Sequence, residues 1–474
     1  MFAQWKPINE LAADVASQKV TALEMVEEAL RRAEAAKDYK TLLSIAKDRA
    51  LQRAKEIDAS IAAGKTAGAL AGVPFIAKDN FLTYSTTTTA ASHILEPFQA
   101  PFQATVIERL EAAGAICIGK ANLDAFGHGA STENSDFFTT LNPHDKKRVP
   151  GGSSGGSAAS IVLGIAPVAL GTDTGGSSRQ PASFVGCFGY KPTYGLMSRY
   201  GVVAMASSTD TIGILASRAE DVAAALNIMA GKDQFDSTTI DRDTAQYLTL
   251  DASVKGKKIG LVKEYMGEGL DEGVRAVVLA KVAQLKKAGA EIVDVSIPSL
   301  PLSLAVYYIV VPAEISSNLS RYDGQRYGFA VDTAQDLTQS YLQARSIGLG
   351  REAKRRVMIG TYVLSSGYYD AYYRKAQTVR TKLINDFADA FSDVDYLVGP
   401  TAPTTAFLIG ENAQDPMQMY LADVMTVGPS LVGIPAISVP AGESNGLPVG
   451  MQFMAPQHHD RELLGLAKGV EQLV

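Results

Sequence analysis

Apolar residues recur at helical intervals along the first sixty positions: Leu23, Val26, Leu30 and Ala33 form one stripe with charged residues between them. After Pro7 no glycine or proline interrupts that pattern until Gly64, so residues 1–62 read as N-terminal helices. The texture then changes. Short apolar runs at 73–77, 115–118 and 166–170 read as buried strands, and amphipathic stretches such as 104–113 alternate with them. Runs at 259–262 and 292–295 flank a helical pattern over 271–288. Residues 303–391 are helical in character, and strand patterns return at 396–398, 436–439 and 449–453. The alternation predicts an α/β fold, a sheet layered with helices. With no fixed-period repeat, low-complexity tract or linker, the chain parses as one domain. Its parts are N-terminal helices (1–62), a core (63–300), a helical insertion (301–391) and a return to the sheet (392–474).

Composition narrows the function classes. The segment 120–213 is dense in Gly, Ser and Thr and poor in long helical patterns, a texture that reads as site-bearing loops rather than core. Of 474 residues, 44 are basic and 50 acidic, a net charge of −6, which argues against a large nucleic-acid surface on this chain and leaves any such gripping to a partner. Cys117 and Cys187 stand far apart at no metal-ligand spacing and read as small buried apolar residues in a reducing cytosol. Five histidines without an H-E-x-x-H or Cys/His cluster predict no protein-bound metal. The N-terminus lacks the order of a signal peptide, and no apolar run of about 20 residues stands out, so the expectation is a cytoplasmic protein without a membrane span.

The motifs are uneven in quality. Gly114-x-x-x-x-Gly119-Lys120 imitates a P-loop, but Ala121 replaces the magnesium-holding hydroxyl; Gly64-Lys65-Thr66 has Ala59 for its first glycine. Gly151-Gly152-Ser153-Ser154-Gly155-Gly156-Ser157 contains a G-x-S-x-G match centred on Ser153, yet residues 145–150 do not supply the strand that a nucleophile elbow requires. A second cluster, Gly171-Thr172-Asp173-Thr174-Gly175-Gly176-Ser177-Ser178-Arg179, sets glycines before a serine, where backbone N–H groups can converge beside a hydroxyl. A serine needs a base to attack an amide. With few histidines to hand, Lys78 at the end of an apolar run is a candidate, either as a desolvated neutral amine or as a strand-end lysine that reaches solvent. Tyr368, Tyr369, Tyr372 and Tyr373 form i, i+4 pairs; with Arg374, Lys375, Arg380 and Lys382 nearby, RNA stacking is one reading, and a buried packing stripe with a solvated basic face is the preferred one.

Lys78 in KDN, Ser153 in GGSSGGSAA and Ser177 in GTDTGGSSRQPAS together resemble the Ser–cisSer–Lys triad of the amidase signature family. Further blocks, among them STENSDFF, KPTYGLMSRYGVVAMASSTD, KRRVMIGTY and SGYYDAYY, are similar to those of its tRNA-dependent amidotransferase members, over about residues 72–453. The resemblance implies an amidase-signature fold: a central mixed sheet covered by helices on both faces, with a helical insertion in the C-terminal half. It implies Ser177 as nucleophile, Ser153 after a cis peptide bond as proton relay and Lys78 as terminal base, with backbone N–H groups of Thr174, Gly175, Gly176 and Ser177 as the oxyanion hole. Arg356 is implied as the clamp for the substrate α-carboxylate, although Arg355 stands beside it, and Asp423 as the ligand of the α-ammonium, with Gly129 and Ser131 also in the substrate pocket. Ser154 and Ser157 read as loop-packing and helix-capping residues. The chain departs from the family pattern FAMGSSTE in Phe126-Gly127-His128-Gly129-Ala130-Ser131-Thr132-Glu133, where His128 reads as a packing or hydrogen-bonding residue. Ser178 replaces the usual bulky apolar residue after the nucleophile.

The implied function is glutamine hydrolysis that supplies ammonia for ATP-dependent amidation of Glu-tRNA(Gln), Asp-tRNA(Asn) or both. The implied partners are a B-type subunit, which would hold ATP, magnesium and most of the tRNA, and a small C-type subunit in a heterotrimer; this chain itself would carry no cofactor. A stand-alone small-amide amidase would share the triad, and a non-catalytic scaffold would not need it.

Overall fold

A computed structural model describes residues 2–242, 246–413 and 415–473. Its strands, in chain order, are β1 (Leu42–Ile45), β2 (Pro74–Lys78), β3 (Ile116–Ala121), β4 (Val168–Asp173), β5 (Phe188–Lys191) and β6 (Thr211–Ala216). They continue with β7 (Lys258–Val262), β8 (Glu291–Val295), β9 (Tyr396–Pro400), β10 (Ala436–Ser444) and β11 (Leu447–Met454). All pair in one mixed 11-stranded sheet of order β1-β3-β2-β4-β6-β5-β10-β11-β9-β7-β8.

Both faces of the sheet centre are covered, and the strand sequences say why. Side chains alternate across a strand. Phe75 and Ala77, Val168 and Leu170, and Ile212 and Ile214 join the main core, whereas Ile76, Ala169 and Leu215 join a second apolar cluster with the helices Gly155–Val162 and Arg179–Val185. Strands buried on both sides read as continuous apolar runs, which is how β2, β3 and β4 appear in the sequence.

Three expectations change. The N-terminal region contains β1, an edge strand antiparallel to β3, within what reads as helix; its four residues form a strand through pairing, not through their own pattern. The Gly/Ser/Thr-rich segment 120–213 is almost wholly buried and supplies β4, β5, β6 and two helices, because small residues permit the close approach of backbones there. And the segment Leu300–Arg321 holds an 18-residue window of mean hydropathy 1.4, long and apolar enough by length and composition to cross a membrane, although no such stretch stands out in the sequence. Half of it is buried in the protein. Its central helix, Ser303–Asn318, packs against Arg351–Leu364 and Lys375–Asp393. Gly360 permits that approach, since a Cβ there would lie 1.9 Å from the Pro312 carbonyl oxygen.

The topology concentrates chemistry at one place. β2 runs parallel to both β3 and β4, so the carboxyl ends of all three emerge side by side. Beyond β4 the direction reverses, since β6 is antiparallel to it. Open sheets bind ligands at such carboxyl ends.

Candidate active site

Lys78 is the last residue of β2, and its side chain is fully buried. Nζ donates to Ser153 Oγ (2.7 Å), Ser154 Oγ (2.9 Å) and Thr172 Oγ1 (2.9 Å). Three hydroxyls match the three protons of an ammonium, but none carries a compensating charge. Burial therefore lowers the Lys78 pKa to about 7, against the opposing pull of Asp124, Asp173 and Asp210. A neutral Lys78 has a lone pair to receive a proton from one of those hydroxyls. Of the two readings open in the sequence, the structure places Lys78 inside the protein, away from solvent.

Ser153 follows a cis Gly152–Ser153 peptide bond. The Gly152 N–H donates to Gln180 Oε1 (2.9 Å), whose Nε2 donates to the Ala130 carbonyl (3.0 Å). The next residue ties the two serine segments together, as the Ser154 N–H donates to the Ser177 carbonyl (3.0 Å). Ser154 stands at the N-cap of the helix Gly155–Val162, as expected, but its hydroxyl makes no capping bond there and receives Lys78 instead. Ser157 does pack, donating to the Leu170 carbonyl (2.9 Å).

The loop after β4 is held by Asp173. Its carboxylate accepts the N–H groups of Gly176 (2.8 Å) and Ser178 (3.1 Å) and pairs with the buried Arg179 at Nη2 (2.8 Å) and Nε (3.0 Å). Burial would raise the Asp173 pKa, but the Arg179 guanidinium holds it below the ordinary value. Arg179 also reaches Ser430 Oγ (2.8 Å) and the Thr426 carbonyl (3.0 Å). Gly176, one of the four residues expected to hold an oxyanion, has its N–H engaged by Asp173. The N–H groups of Thr174, Gly175 and Ser177 have no acceptor among the described residues. Gly176 sits at φ +136°, and a Cβ there would meet Thr426 Oγ1 at 2.1 Å. Ser178, the residue that departs from the family pattern, fills the gap between Gly171 and Gly213, its Oγ 2.0 Å from where a Cβ of Gly213 would stand.

Two buried groups of opposite charge lie close by. On the helix Arg351–Leu364 the arginine that points inward is Arg356, while Arg355 stays partly exposed. Arg356 Nε donates to Glu352 Oε1 (2.9 Å), which also accepts the Tyr420 hydroxyl (3.0 Å). Its guanidinium lies over the rings of Tyr308 and Tyr420, 5.4 and 5.7 Å from their centroids. The Nη groups keep no protein acceptor among the described residues. Asp423 is buried, its carboxyl accepts no hydrogen bond from the described residues, and burial pushes its pKa well up while Arg356 opposes the shift. Thr426 links this pole to the nucleophile loop, donating to the carbonyls of Gly175 (2.6 Å) and Asp423 (3.1 Å).

Gly129 and Ser131 belong to a loop wound around Asp124, which accepts the N–H groups of Ser131 (3.3 Å), Thr132 (2.9 Å) and Asn134 (3.0 Å). Burial raises the Asp124 pKa to about 6. Ser131 Oγ accepts the Glu133 N–H (3.3 Å). His128, in the same loop, is fully buried, and neither ring nitrogen has a hydrogen-bond partner. Of the two roles expected for it, packing or hydrogen bonding, the structure shows a packed, buried ring without a hydrogen-bond partner among the described residues.

Other sequence candidates fall elsewhere. Lys120 of the P-loop look-alike is on β3 and is engaged internally, 2.9 Å from Asp79 and bonded to the Phe81 carbonyl (2.8 Å). Tyr368, Tyr369 and Tyr372 are exposed rather than buried, although the i, i+4 pairs form: ring centroids lie 6.2 Å apart for Tyr368–Tyr372 and 5.3 Å apart for Tyr369–Tyr373, beside a π-helical turn over Asp370–Arg374. Thr172, Asp173, Asp124, Glu352 and Thr426 went unassigned in the sequence. Only Asp173 carried a signal there, an acid two residues before the glycine pair.

The chain is similar to known proteins over nearly its whole length. A family model described as Amidase matches residues 24–464. The A subunit of glutamyl-tRNA(Gln) amidotransferase of Thermoanaerobacter pseudethanolicus is 50% identical over 467 residues, 98% of this chain and 96% of that protein. Its counterpart of the same name in Carboxydothermus hydrogenoformans is 48% identical over 466 residues, again 98% and 96%. The crystal structure of the A subunit of glutamyl-tRNA(Gln) amidotransferase from Thermotoga maritima superposes with a TM-score of 0.79 at 38% identity, covering 96% of this chain and 95% of that one.

Proposed function

The chain belongs to the amidase family, and from that premise we propose that it is the glutamine-hydrolysing subunit of a tRNA-dependent amidotransferase. Ser177 Oγ attacks the side-chain carbonyl carbon of glutamine. Its proton passes to Ser153 Oγ as the Ser153 proton passes to neutral Lys78 Nζ. The N–H groups of Thr174, Gly175 and Ser177 receive the oxyanion. When the carbon–nitrogen bond breaks, the proton on Lys78 returns through Ser153 to the leaving nitrogen, and ammonia departs. Water, activated by the same relay, then hydrolyses the acyl-Ser177 ester to glutamate.

The observation that carries glutamine over other amides is the pair of buried poles. Arg356 offers free Nη donors to an α-carboxylate, Asp423 offers an unpaired carboxyl to an α-ammonium, and Thr426 joins Asp423 to the nucleophile loop. A site for neutral amides would bear the desolvation of both groups without return. The ammonia passes to a B-type partner, which holds ATP, magnesium and the tRNA, with a C-type partner completing the assembly in the cytoplasm. The names of these relatives, each the A subunit of a glutamyl-tRNA(Gln) amidotransferase, support a place for this chain in such an assembly.

The test is ammonia release from glutamine by the tagged chain purified gently with whatever binds it, with and without misacylated Glu-tRNA(Gln) or Asp-tRNA(Asn) plus ATP. Stimulation by tRNA and ATP is the expected result. Unstimulated turnover that prefers simple amides overturns it in favour of a stand-alone amidase, and no turnover in the assembled complex favours a scaffold.

A further inference from the structure

Lys78 Nζ faces three hydroxyls, and a neutral amine has two protons to give, so one hydroxyl is left to face its lone pair. The hydrogen bonds around the three decide which one. Ser154 Oγ donates to the Thr172 carbonyl (3.3 Å) and accepts from both Lys78 Nζ (2.9 Å) and the Thr172 N–H (3.4 Å). Its one proton and two lone pairs are all engaged, so toward Lys78 it can only accept. Thr172 Oγ1 also accepts twice, from Lys78 Nζ (2.9 Å) and from Asn80 Nδ2 (3.1 Å). With both lone pairs taken, its proton is turned away from Lys78, beside a cavity of about 190 Å³ that Asn80 and Thr172 line together with Met205 and Asp210. Ser153 Oγ, the nearest of the three at 2.7 Å, has no other hydrogen-bond partner among the described residues and is free to turn its proton onto the amine.

Asn80 stands two residues past the end of β2 and is buried. The Val203 N–H donates to its backbone carbonyl (2.8 Å), and the bond to Thr172 is the one its side chain makes among the described residues, since Oδ1 has no partner. Turned over, the amide would accept the Thr172 proton at Oδ1, which equally withholds that proton from Lys78.

We propose that Asn80 is a positioning residue of the relay: its hydrogen bond to Thr172 keeps the Thr172 proton off Lys78 and so reserves the amine lone pair for Ser153. The inference rests on the reading above, in which Lys78 is the base. Without Asn80 the Thr172 hydroxyl turns its proton onto Nζ, where it competes with Ser153 and stabilises the neutral amine. The base then forms at lower pH but is held by the wrong hydroxyl. Asp124, Asp173 and Asp210 are the carboxyls within electrostatic reach of Lys78, and they are the same with and without Asn80.

The test measures ammonia release by the full-length chain, purified with whatever binds it, as wild type, Asn80→Ala, Thr172→Val and the double variant. Glutamine gives kcat and KM, and butanamide gives the pH profile. Asn80→Ala should lower kcat roughly three- to tenfold, the effect of one competing hydrogen bond, with KM for glutamine within about twofold. Its acid limb in kcat/KM should move to lower pH by roughly 0.4 to 1, whereas a site merely loosened toward solvent moves a buried lysine upward. In the Thr172→Val background no hydroxyl is left to orient, and Asn80→Ala should change kcat by less than about twofold. Asn80→Leu gives the same comparison if the alanine variant does not fold. An equal loss in both backgrounds, an acid limb that stays or moves up, or an unchanged kcat overturns the inference, while the glutaminase reading stands as long as the wild type hydrolyses glutamine and Lys78→Met does not. A wild type inactive on glutamine, or Lys78→Met with nearly full activity, overturns both.

Discussion

Lys78 is the group whose titration the proposed amide chemistry depends on, and its burial sets the pH at which the enzyme works. At its pKa of about 7, half of the molecules carry the neutral amine at pH 7, against roughly one in three thousand for a lysine at 10.5. Burial thus supplies about 1,500 times more base, roughly 4 kcal/mol. The sign follows. Below pH 7 the three hydroxyls face an ammonium that cannot accept the Ser153 proton, so log kcat/KM should climb with pH at a slope near one, bend at about 7 and then level off. The assay is ammonia release from a neutral amide between about pH 5.5 and 9.5, which keeps the titration of glutamine itself out of the profile. Lys78→Met should lower kcat by about 10²–10⁴ and abolish the acid limb. A limb centred near the ordinary lysine value, or a methionine variant with nearly full activity, refutes the assignment of Lys78 as base.

Arg356→Ala should raise KM for glutamine about a hundredfold while changing that for 4-aminobutanamide, which is glutamine without its α-carboxylate, by no more than a few-fold. Glu352 is not orphaned by that change, because Arg355 and Tyr420 still bind it. Asp423→Asn should do the same to glutamine and spare 4-carbamoylbutanoate, which lacks the α-amino group; equal effects on both members of either pair count against the poles as substrate ligands. Gly176→Ala forces a Cβ to within 2.1 Å of Thr426 Oγ1 at a left-handed φ, and should cost about 1–3 kcal/mol, read as a Tm lower by a few degrees together with a fall in kcat. An unchanged Tm would show that the loop relaxes without strain.

The sequence by itself determined the α/β class and singled out the residues proposed to react. Continuous apolar runs announced β2, β3 and β4, and glycine-flanked serines after β4 announced a loop of convergent N–H groups. Tertiary structure decided everything that depends on which residues meet. Lys78 reads as easily as a solvent-reaching strand end, and only parallel pairing of β2 with β4 buries it against Thr172. Between Arg355 and Arg356, the helix packing chooses the second. Gly176 looks as free to hold an oxyanion as its neighbours until Asp173 is seen to take its N–H. Tyr368, Tyr369 and Tyr372 keep their i, i+4 pairing yet face outward, which spacing alone does not decide. His128 was visible as an oddity of composition, yet that it has no partner is a property of the packed surroundings. Local pattern encodes the period of an element and the chemistry of its side chains, whereas desolvation, charge proximity and donor satisfaction are set by segments far apart in the chain.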